Sequence, residues 1–376
     1  YQLRLKNFLL KESLIHNNMN FNIPSMSLLS YIMALSLNKY GIDKINVRKQ
    51  NLKSYGRYYS LNYFSKKFLE HIKIWDNMES KSIVPYKTIE IYMNDIKTLS
   101  FHAKDINIDY LGYIVNEDNL INSVTKTITD NKSFNFISEK NYSDNLSPCT
   151  NIISDYKDVS PEIQSKNYTS KTYNQTAINI NIAHSKSNNN VPRQIFFNNE
   201  ILGFLPVNEY CYNLIWSMPN NLYEKIPLED MKEYKTFIEE RANFILGEIQ
   251  EMTIGESFPL SARHADTYFY QNNLLIGESA HKFHPLAGLG LNMGIEDISF
   301  LTQLILKHDD LKVTSREYAI KRISKNNSLQ HILDLIMQFH SSKLMPDDFK
   351  KYLLNFFDKT LLMKPTIIKK ATGCDN

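Results

Sequence analysis

The segment from Leu274 to Asp297 concentrates the residues whose types and spacing could do chemistry. An apolar run ends at Gly277 and predicts a buried strand, after which the carboxylate Glu278 follows at once. Four of the chain's 11 glycines lie within 18 positions here: Gly277, Gly288, Gly290 and Gly294. Glycines let backbone N–H groups approach a ligand closely, and a helix N-terminus favours negative charge. The segment therefore predicts a turn that binds an anionic or electron-accepting group. A Gly-rich helix cap with a solvated Glu278 is the alternative that composition alone leaves open.

Two histidines in the same segment, His281 and His284, have the spacing His-x-x-His. A zinc site needs three or four ligands, and no third ligand stands at a recognisable spacing. We therefore expect no metal, and we expect both histidines to make structural hydrogen bonds around the turn.

Periodicity predicts the elements that must position this turn. A buried helix over 31–40 ends at Gly41, a short strand over 42–47 follows, and Pro24 weakens the strand before the helix. The remaining predicted elements are an amphipathic helix over 62–78, a strand over 87–93, a helix over 120–128, antiparallel strands over 173–217, a helix over 228–251, a helix at about 292–307 and helices near 315–341 and 347–362. Residues 129–170 are polar and without pattern.

Composition excludes several classes of protein. Eleven glycines among 376 residues exclude collagen and Gly-rich linkers, and a net charge of +3 gives no argument for nucleic acid. Three distant cysteines predict neither zinc nor disulfides, and thus a reducing compartment. No apolar run reaches the ~18–20 residues of a membrane span. The N-terminus is too charged for a secretory signal, and without an initiator Met we expect a trimmed or incomplete chain.

The turn resembles the second FAD-binding motif of the aromatic-ring flavoprotein monooxygenases. Its core is Gly277-Glu-Ser-Ala-His, and the run His284-Pro-Leu-Ala-Gly followed by Gly290-Leu-Asn is most similar to the ubiquinone-biosynthesis hydroxylases. Arg57-Tyr-Tyr-Ser-Leu-Asn and Trp75-Asp resemble further segments of that family, and the resemblance covers about residues 18–373.

The resemblance implies an α/β fold in which a Rossmann-like FAD-binding domain of the para-hydroxybenzoate-hydroxylase type carries an antiparallel β-sheet substrate domain and C-terminal helices. The implied organisation is an N-terminal extension at 1–17, the first part of the FAD-binding domain at 18–168, the substrate domain at 169–264, and the second part with the helices at 265–376.

The resemblance also implies the residues around FAD. Glu278 stands where the family hydrogen-bonds the ribityl chain, Pro285 beside the flavin ring, and Arg57 near the flavin or pyrophosphate. Residues 288–292 would present backbone N–H groups to the pyrimidine end of the isoalloxazine, where negative charge collects on reduction. The implied cofactor-binding set is Ser25, Ser27, Ser30, Arg57, Gly277, Glu278, Pro285, Gly288, Gly290, Leu291 and Asn292.

The implied activity is hydroxylation of a polyprenylated phenol or benzoquinol ring on the way to ubiquinone. NAD(P)H would reduce FAD, and O2 would form a flavin hydroperoxide. Such a substrate implies peripheral contact with a membrane, in a bacterial cytoplasm or on the matrix side of the mitochondrial inner membrane, and other ubiquinone-biosynthesis proteins as possible partners. No catalytic base can be assigned from the sequence.

Three departures from the family lie at the ADP end of the cofactor. Ser25, Ser27 and Ser30 replace the glycines of the Gly-x-Gly-x-x-Gly fingerprint, so we expect backbone strain of about 1–2 kcal/mol per Cβ at positive φ, and crowding of the phosphates. Arg48-Lys-Gln stands where an acidic ribose ligand is expected, and the segment 153–160 lacks the Gly of the family's Asp-Gly motif. The alternative function is therefore a non-catalytic relative, either a scaffold subunit of the ubiquinone-biosynthesis assembly or the product of a decaying gene.

Overall fold

The structure is a computed structural model, and it describes residues 19–49, 51–131, 133–137, 149–226, 230–284, 288–341, 350 and 364–374. The strands are β1 (Phe21–Ile23), β2 (Ile45–Arg48), β3 (Tyr58–Asn62), β4 (Ile83–Tyr86), β5 (Thr88–Met93), β6 (Ile96–His102), β7 (Gly112–Asn116), β8 (Asn135–Ile137), β9 (Thr150–Ile153), β10 (Tyr168–His184), β11 (Arg193–Phe197), β12 (Glu200–Asn208), β13 (Cys211–Pro219), β14 (Ile249–Ala265), β15 (Phe269–Tyr270), β16 (Asn273–Leu275) and β17 (His281–Lys282). The helices are α1 (Leu28–Lys39), α2 (Tyr63–His71), α3 (Glu117–Thr129), α4 (Pro161–Lys166), α5 (Asn220–Tyr223), α6 (Met231–Leu246), α7 (Leu289–Lys307), α8 (Leu311–Ser341) and α9 (Lys364–Thr372).

A six-stranded sheet in the order β15-β16-β9-β1-β2-β8 forms the first layer. Strands β16, β9, β1, β2 and β8 are parallel, and β15 is an antiparallel edge strand. Strand β1 ends directly before Pro24, which has no N–H to donate to the sheet. Helix α1 crosses from β1 to β2 and ends before Gly41, whose φ is +78°, as the sequence predicted. This β–α–β unit is the Rossmann-like arrangement of the predicted fold.

An asparagine ladder crosses this sheet. Asn135 donates to Asn46, Asn46 to Asn22, Asn22 to Asn151 and Asn151 to Asn273, with N···O distances of 2.8–3.2 Å. The five residues are direct partners on adjacent strands. The ladder therefore satisfies polar side chains on the sheet face opposite to Phe21 and Ile23, and it fixes the register of the parallel strands.

A second, eight-stranded sheet in the order β17-β14-β10-β13-β12-β11-β5-β6 is antiparallel except where β11 meets β5. Strands β10 and β14 are 17 residues long and pair with each other. Trp216 and Tyr234 lie in the second core, between this sheet and α6. A third sheet, β3-β7-β4, carries α2 and α3.

Two predicted helices are shorter in the structure. The helix predicted over 228–251 ends at Leu246, because Gly247 takes a φ of +65° and β14 begins at Ile249. The helix predicted over 62–78 ends at His71, where Lys73 has a φ of +67°, and only a short 3-10 turn follows. Residues 129–170, predicted to lack pattern, hold β8, β9 and α4. The helix predicted near 347–362 lies outside the described residues.

Candidate functional site

The predicted ligand turn ends in an open helix terminus. Helix α7 begins at Leu289 after Gly288, whose φ is +58°, and no side chain caps its first turn among the described residues. A Cβ built on Gly290 would meet no atom within 4 Å. The first N–H groups of a helix have no acceptor inside the helix. As far as the described residues extend, this terminus can therefore donate hydrogen bonds to a ligand.

Asn292 holds this turn against β3. Its side-chain amide donates to the Ser60 carbonyl at 2.7 Å and to the Gly288 carbonyl at 3.2 Å, and its oxygen accepts from the Asn62 N–H at 2.9 Å. Asn292 is almost fully buried. Its side chain thus positions the turn, and only its backbone remains for the predicted role at the ligand.

Ser60 and Tyr86 are neighbours of the turn that the sequence did not single out as site residues. The Ser60 and Tyr86 hydroxyls are 2.9 Å apart, and Ser60 lies 3.7 Å from a Cβ built on Gly288. Burial raises the pKa of Tyr86 to about 12, so its hydroxyl stays protonated. Gly112 leaves the room that this hydroxyl needs, because a Cβ there would collide with it. In the sequence, the glycine of the Leu111-Gly112 pair was the feature that could have indicated this close approach.

Glu278 lies in the short 3-10 turn Gly277–Ser279 that follows β16, and its side chain is exposed. Its backbone carbonyl accepts from the Arg263 guanidinium at 3.3 Å, and the hydrogen bonds and ion pairs of the described residues include none from its carboxylate. Leu291 packs against the main core, and Pro285 lies outside the described residues.

A buried ionic cluster fixes the strand end beneath the turn. The Asp297 carboxylate accepts from the Gly277 N–H at 2.9 Å and from Arg322 Nε at 2.6 Å, and lies 2.7 Å from His281 Nε2. Arg322 also contacts Glu296 at 3.1 Å. Burial opposes ionisation, but Arg322 and His281 outweigh it and lower the pKa of Asp297 to about 2. The cluster therefore holds a charged carboxylate on the backbone of Gly277.

The two histidines of the predicted His-x-x-His pair have different partners. His281 contacts Asp297, whereas the buried His284 lies edge-on to Tyr173 with ring centroids 4.9 Å apart. Burial lowers the pKa of His284 to about 4, so it is neutral near pH 7. Within the described ranges, no group of three His, Cys, Asp or Glu side chains is arranged to hold a metal.

The three fingerprint serines adopt ordinary backbone angles, and the expectation of strain was wrong. None of Ser25, Ser27 and Ser30 has a positive φ, and Ser27 is extended at φ −140°. Ser27 caps α1 by accepting from the Ser30 N–H at 3.3 Å. The Ser154 hydroxyl lies 2.5 Å from that of Ser27 and 2.8 Å from that of Ser30. Serine is accommodated here because the turn has an N-cap geometry that does not need Gly.

Segment 153–160 packs against the same turn. The Ser25 oxygen accepts from the Ser154 N–H at 3.0 Å and from the Asp155 N–H at 3.2 Å. Burial raises the pKa of Asp158, against the opposing effect of the nearby Ser25 hydroxyl, Arg48 and the Met26 N–H. The structure therefore brings the two altered ADP-end motifs into direct contact.

Arg48, the last residue of β2, lies next to segment 153–160. Its guanidinium lies 3.8 Å from the Asp158 carboxylate. The residue found where the family places an acidic ribose ligand is thus paired within the protein. Gln50, its neighbour in that prediction, lies outside the described residues.

Arg57 lies on a loop that Glu117 organises. The buried Glu117 carboxylate accepts from the Tyr55 N–H at 2.6 Å, the Arg57 N–H at 3.3 Å and the Tyr59 hydroxyl at 2.6 Å. The Arg57 side chain is 40% exposed and pairs with Glu256 at 2.9 Å. Arg57 therefore links the β3 region to β14.

The chain is similar in sequence to known proteins. Residues 161–308 match the family model described as "FAD binding domain". The chain is 21% identical over 350 residues to the ubiquinone hydroxylase UbiM of Neisseria meningitidis, covering 85% of this chain and 75% of that protein. It is 24% identical to the ubiquinone biosynthesis monooxygenase COQ6 of Xenopus tropicalis, covering 72% and 73%.

The fold is that of a solved flavoprotein monooxygenase. The p-nitrophenol 4-monooxygenase PnpA of Pseudomonas putida superposes with a TM-score of 0.72 at 12% identity, covering 94% of this chain and 98% of that one. Together with the mixed α/β layers, this confirms the predicted fold class. The chain is thus similar to FAD-dependent monooxygenases, which are oxidoreductases, and to the ubiquinone-biosynthesis hydroxylases.

Proposed function

We propose that the protein hydroxylates a polyprenylated phenol or benzoquinol ring in ubiquinone biosynthesis, with FAD as cofactor and NAD(P)H as electron donor. The open N-terminus of α7 carries this proposal, because it supplies uncapped N–H donors beside an unobstructed Gly290. Such donors stabilise the negative charge that a flavin ring gains on reduction. The relatives named as ubiquinone hydroxylases support the substrate class.

The residues at the ring end fit a bound flavin. Backbone N–H groups of 289–291 would hold its pyrimidine edge, and Glu278 would accept from its ribityl hydroxyls. Ser60 and Tyr86 would border the ring, since Ser60 lies beside Gly288 and its hydroxyl is 2.9 Å from that of Tyr86. When bound, FAD supplies the redox chemistry with O2, and the protein supplies binding and orientation.

The substrate ring would lie against the second sheet. Tyr173 and Gln175 project from β10 toward His284, whose Nε2 lies 3.4 Å from the Gln175 side-chain oxygen. His284 is buried and neutral, so it gives this wall a polar group without a charge. We accordingly propose 169–264 as the substrate domain, between the two parts of the FAD-binding domain.

Access to an isoprenoid substrate implies contact with a membrane surface. No helix in the described ranges is both long and apolar enough to cross a bilayer. We propose peripheral association, in a bacterial cytoplasm or on the matrix side of the mitochondrial inner membrane, with other proteins of the same biosynthesis as partners.

The test is reconstitution of the purified chain with FAD. We expect flavin absorbance near 450 nm, a property of the cofactor, to remain after gel filtration. NADH or NADPH should then bleach it, and a prenylated phenol should gain one oxygen atom by mass spectrometry. Gly290→Phe should abolish flavin retention because its ring fills the open space, whereas Gln303→Phe, exposed on the same helix, should not.

A non-catalytic relative is the second candidate function. The observation that favours it is the self-capped N-terminus of α1, where the chain's own side chains fill the expected phosphate site. A colourless protein that fails to take up FAD, together with no difference between the Gly290→Phe and Gln303→Phe variants, would select this candidate over the hydroxylase.

A further inference from the structure

Two positively charged side chains, Arg263 and Lys282, lie side by side at the edge of the second sheet. We infer that they form a binding site for the phosphates of a dinucleotide, next to the proposed ribityl ligand Glu278. The choice of a dinucleotide rests on the proposed function, whereas the anion site itself rests on the arrangement of the two side chains.

The first step is the pairing of the two cations. Arg263 on β14 is the direct antiparallel partner of Lys282 on β17, so both side chains project from the same face of the sheet. Like charges in directly opposed positions destabilise a sheet. Among the described residues, neither cation forms an ion pair, and the Lys282 amine makes no hydrogen bond. Two uncompensated positive charges in this arrangement indicate an anionic ligand.

The second step is the Arg263 guanidinium, which is held in place but uses few of its donors. Its central carbon lies 3.4 Å from the centroid of the Tyr156 ring, and Nη2 donates to the Glu278 carbonyl at 3.3 Å. Nε is buried and has no hydrogen-bond partner within the described ranges. A guanidinium has five N–H donors in a planar fork that fits phosphate oxygens. Most of this fork therefore remains for a ligand.

The third step is the support behind the guanidinium. Tyr156 lies in segment 153–160, and its ring meets that of Tyr168 edge-on, with centroids 5.0 Å apart. The Tyr168 hydroxyl donates to the Ser279 carbonyl at 2.6 Å. The two rings thus join segment 153–160, β14 and the turn after β16. An arginine that is already positioned by stacking loses less conformational freedom when it binds a phosphate.

The fourth step is the chemistry of the ligand. In FAD the ribityl chain ends in the first phosphate, so a flavin whose ribityl hydroxyls reach the Glu278 carboxylate carries its pyrophosphate directly beyond that residue. Arg263 is bonded to the backbone of the same residue. We therefore expect the two cations to replace the backbone N–H donors of a glycine fingerprint. The phosphates of NAD(P)H have the same chemistry and are the other source.

The experiment measures four ligands on five proteins. Inorganic pyrophosphate and NADPH are titrated by calorimetry, and FAD and riboflavin by flavin fluorescence. The proteins are the wild type, Arg263→Met, Arg263→Lys, Lys282→Met and Arg316→Met. Arg316→Met is the matched control, because it removes the same charge from an exposed position on α8. Lys282→Met relieves the repulsion between like charges, so it should keep or raise the thermal midpoint should Arg263→Met fold poorly.

We expect the wild type and Arg316→Met to bind pyrophosphate. Arg263→Met and Lys282→Met should bind it at least about tenfold more weakly, since each removes a charge-assisted contact. Their affinity for FAD should fall by a similar factor, whereas riboflavin, which has no phosphate, should bind unchanged. Arg263→Lys, which keeps the charge without the fork, should be intermediate.

The source of the phosphate is read from protein loaded with FAD. Loaded protein should no longer bind pyrophosphate if FAD occupies the pair. If NADPH does, loaded protein should still bind pyrophosphate, and the variants should weaken NADPH and not FAD.

A wild type that binds no pyrophosphate, or variants with unaltered affinity for every ligand, would overturn the inference. Flavin that is retained and reduced in such variants would leave the proposed function intact. Pyrophosphate binding that depends on both cations, in a protein that retains no flavin, would show the reverse: the anion site stands and the proposed function fails.

Discussion

The Leu29 side chain lies against Gly277 so closely that any side chain at position 277 would overlap its Cδ1 atom. Gly294 is in the same situation, since a Cβ there would stand 2.5 Å from Leu29 Cδ1 and 3.0 Å from Cδ2. Leu29 belongs to the first turn of α1, between Ser27 and Ser30. Two glycines of the ligand turn thus serve the packing of α1, whereas Gly288 and Gly290 leave space for a ligand.

Gly294→Ala should lower the free energy of unfolding by about 1–3 kcal/mol, because the added methyl group overpacks a buried site. Gly290→Ala is the matched control on the same helix; it meets open space and should be neutral or stabilising by up to about 1 kcal/mol. Urea denaturation of both variants measures the difference.

A double-mutant cycle tests the cause. Leu29→Ala alone should cost about 2–5 kcal/mol as a buried truncation. In the Leu29→Ala background Gly294→Ala should no longer destabilise the protein, giving a coupling of about 1 kcal/mol or more. Additive costs would show that Leu29 is not what excludes a side chain at 294.

Asp297→Asn should destabilise the protein by about 3–5 kcal/mol, since it removes the buried carboxylate that accepts from Arg322 and leaves the guanidinium with Glu296 alone. Asp76→Asn removes an exposed ion pair with Lys73 and should cost less than about 1 kcal/mol. Chemical denaturation at pH 7 compares the two. Equal effects would mean that the cluster beneath Gly277 adds nothing beyond a surface pair.

Stability should fall as the pH drops from about 6.5 to about 4. Burial lowers the pKa of both His264 and His284 to about 4, below the unfolded value of about 6.5. At His264 the electrostatic interaction with His281 acts in the same direction. The unfolded chain therefore binds more protons in that window, and each histidine removes up to about 1.4 kcal/mol per pH unit.

The measurement is the free energy of unfolding by urea at pH 7, 6 and 5. The double variant His264→Gln/His284→Gln should show a shallower pH dependence than the wild type, and the exposed His331→Gln should not. A wild-type stability that is flat or rising toward pH 5 would contradict the assignment. Below about pH 4 the lowered pKa of Asp297 should add a further loss of the same sign.

Glu117→Ala should loosen the loop that carries Arg57. Its carboxylate accepts from the Tyr55 and Arg57 N–H groups, so amide exchange at those two positions should accelerate at least about tenfold. Hydrogen exchange followed by mass spectrometry reads this out. Asp118→Asn, the exposed neighbour on α3, should leave the exchange unchanged; unaltered rates in both would assign the loop's order to other contacts.

The sequence predicted the strand end and the helix start on either side of the Gly-rich turn, and that the turn binds a ligand stays a prediction. Gly288 and Gly290 leave open space in a Gly-poor chain, whereas Gly277 packs against Leu29, and α7 begins at Leu289, three residues before the predicted start at about Asn292. The antiparallel strand around Ala177-Ile-Asn-Ile could be predicted because its polar and apolar residues alternate. Strand β14 could not, because Ile249 to Ala265 mixes polar and apolar residues without strict alternation.

The backbone of the turn at Ser25, Ser27 and Ser30 could not be predicted correctly from the neighbouring sequence alone. The strain expected at Ser25, Ser27 and Ser30 assumed the backbone of a Gly fingerprint, but the turn takes N-cap angles instead. The hydrogen bonds of Ser25 with the Ser154 and Asp155 N–H groups join residues 129 and 130 positions apart, and no spacing rule reveals such pairs.

The asparagine ladder makes the parallel sheet susceptible to chemical damage by deamidation. Each central amide in it donates on one side and accepts on the other, from Asn135 through to Asn273. Asparagine is a thermolabile residue, and deamidation would convert it to an ionised aspartate that can only accept. One such event at the buried Asn22 would leave a carboxylate oxygen facing the Asn151 amide oxygen, with no proton between them, and would place a charge in the sheet. Ageing of the folded protein should therefore begin at the exposed Asn135 end, where water reaches the amide first.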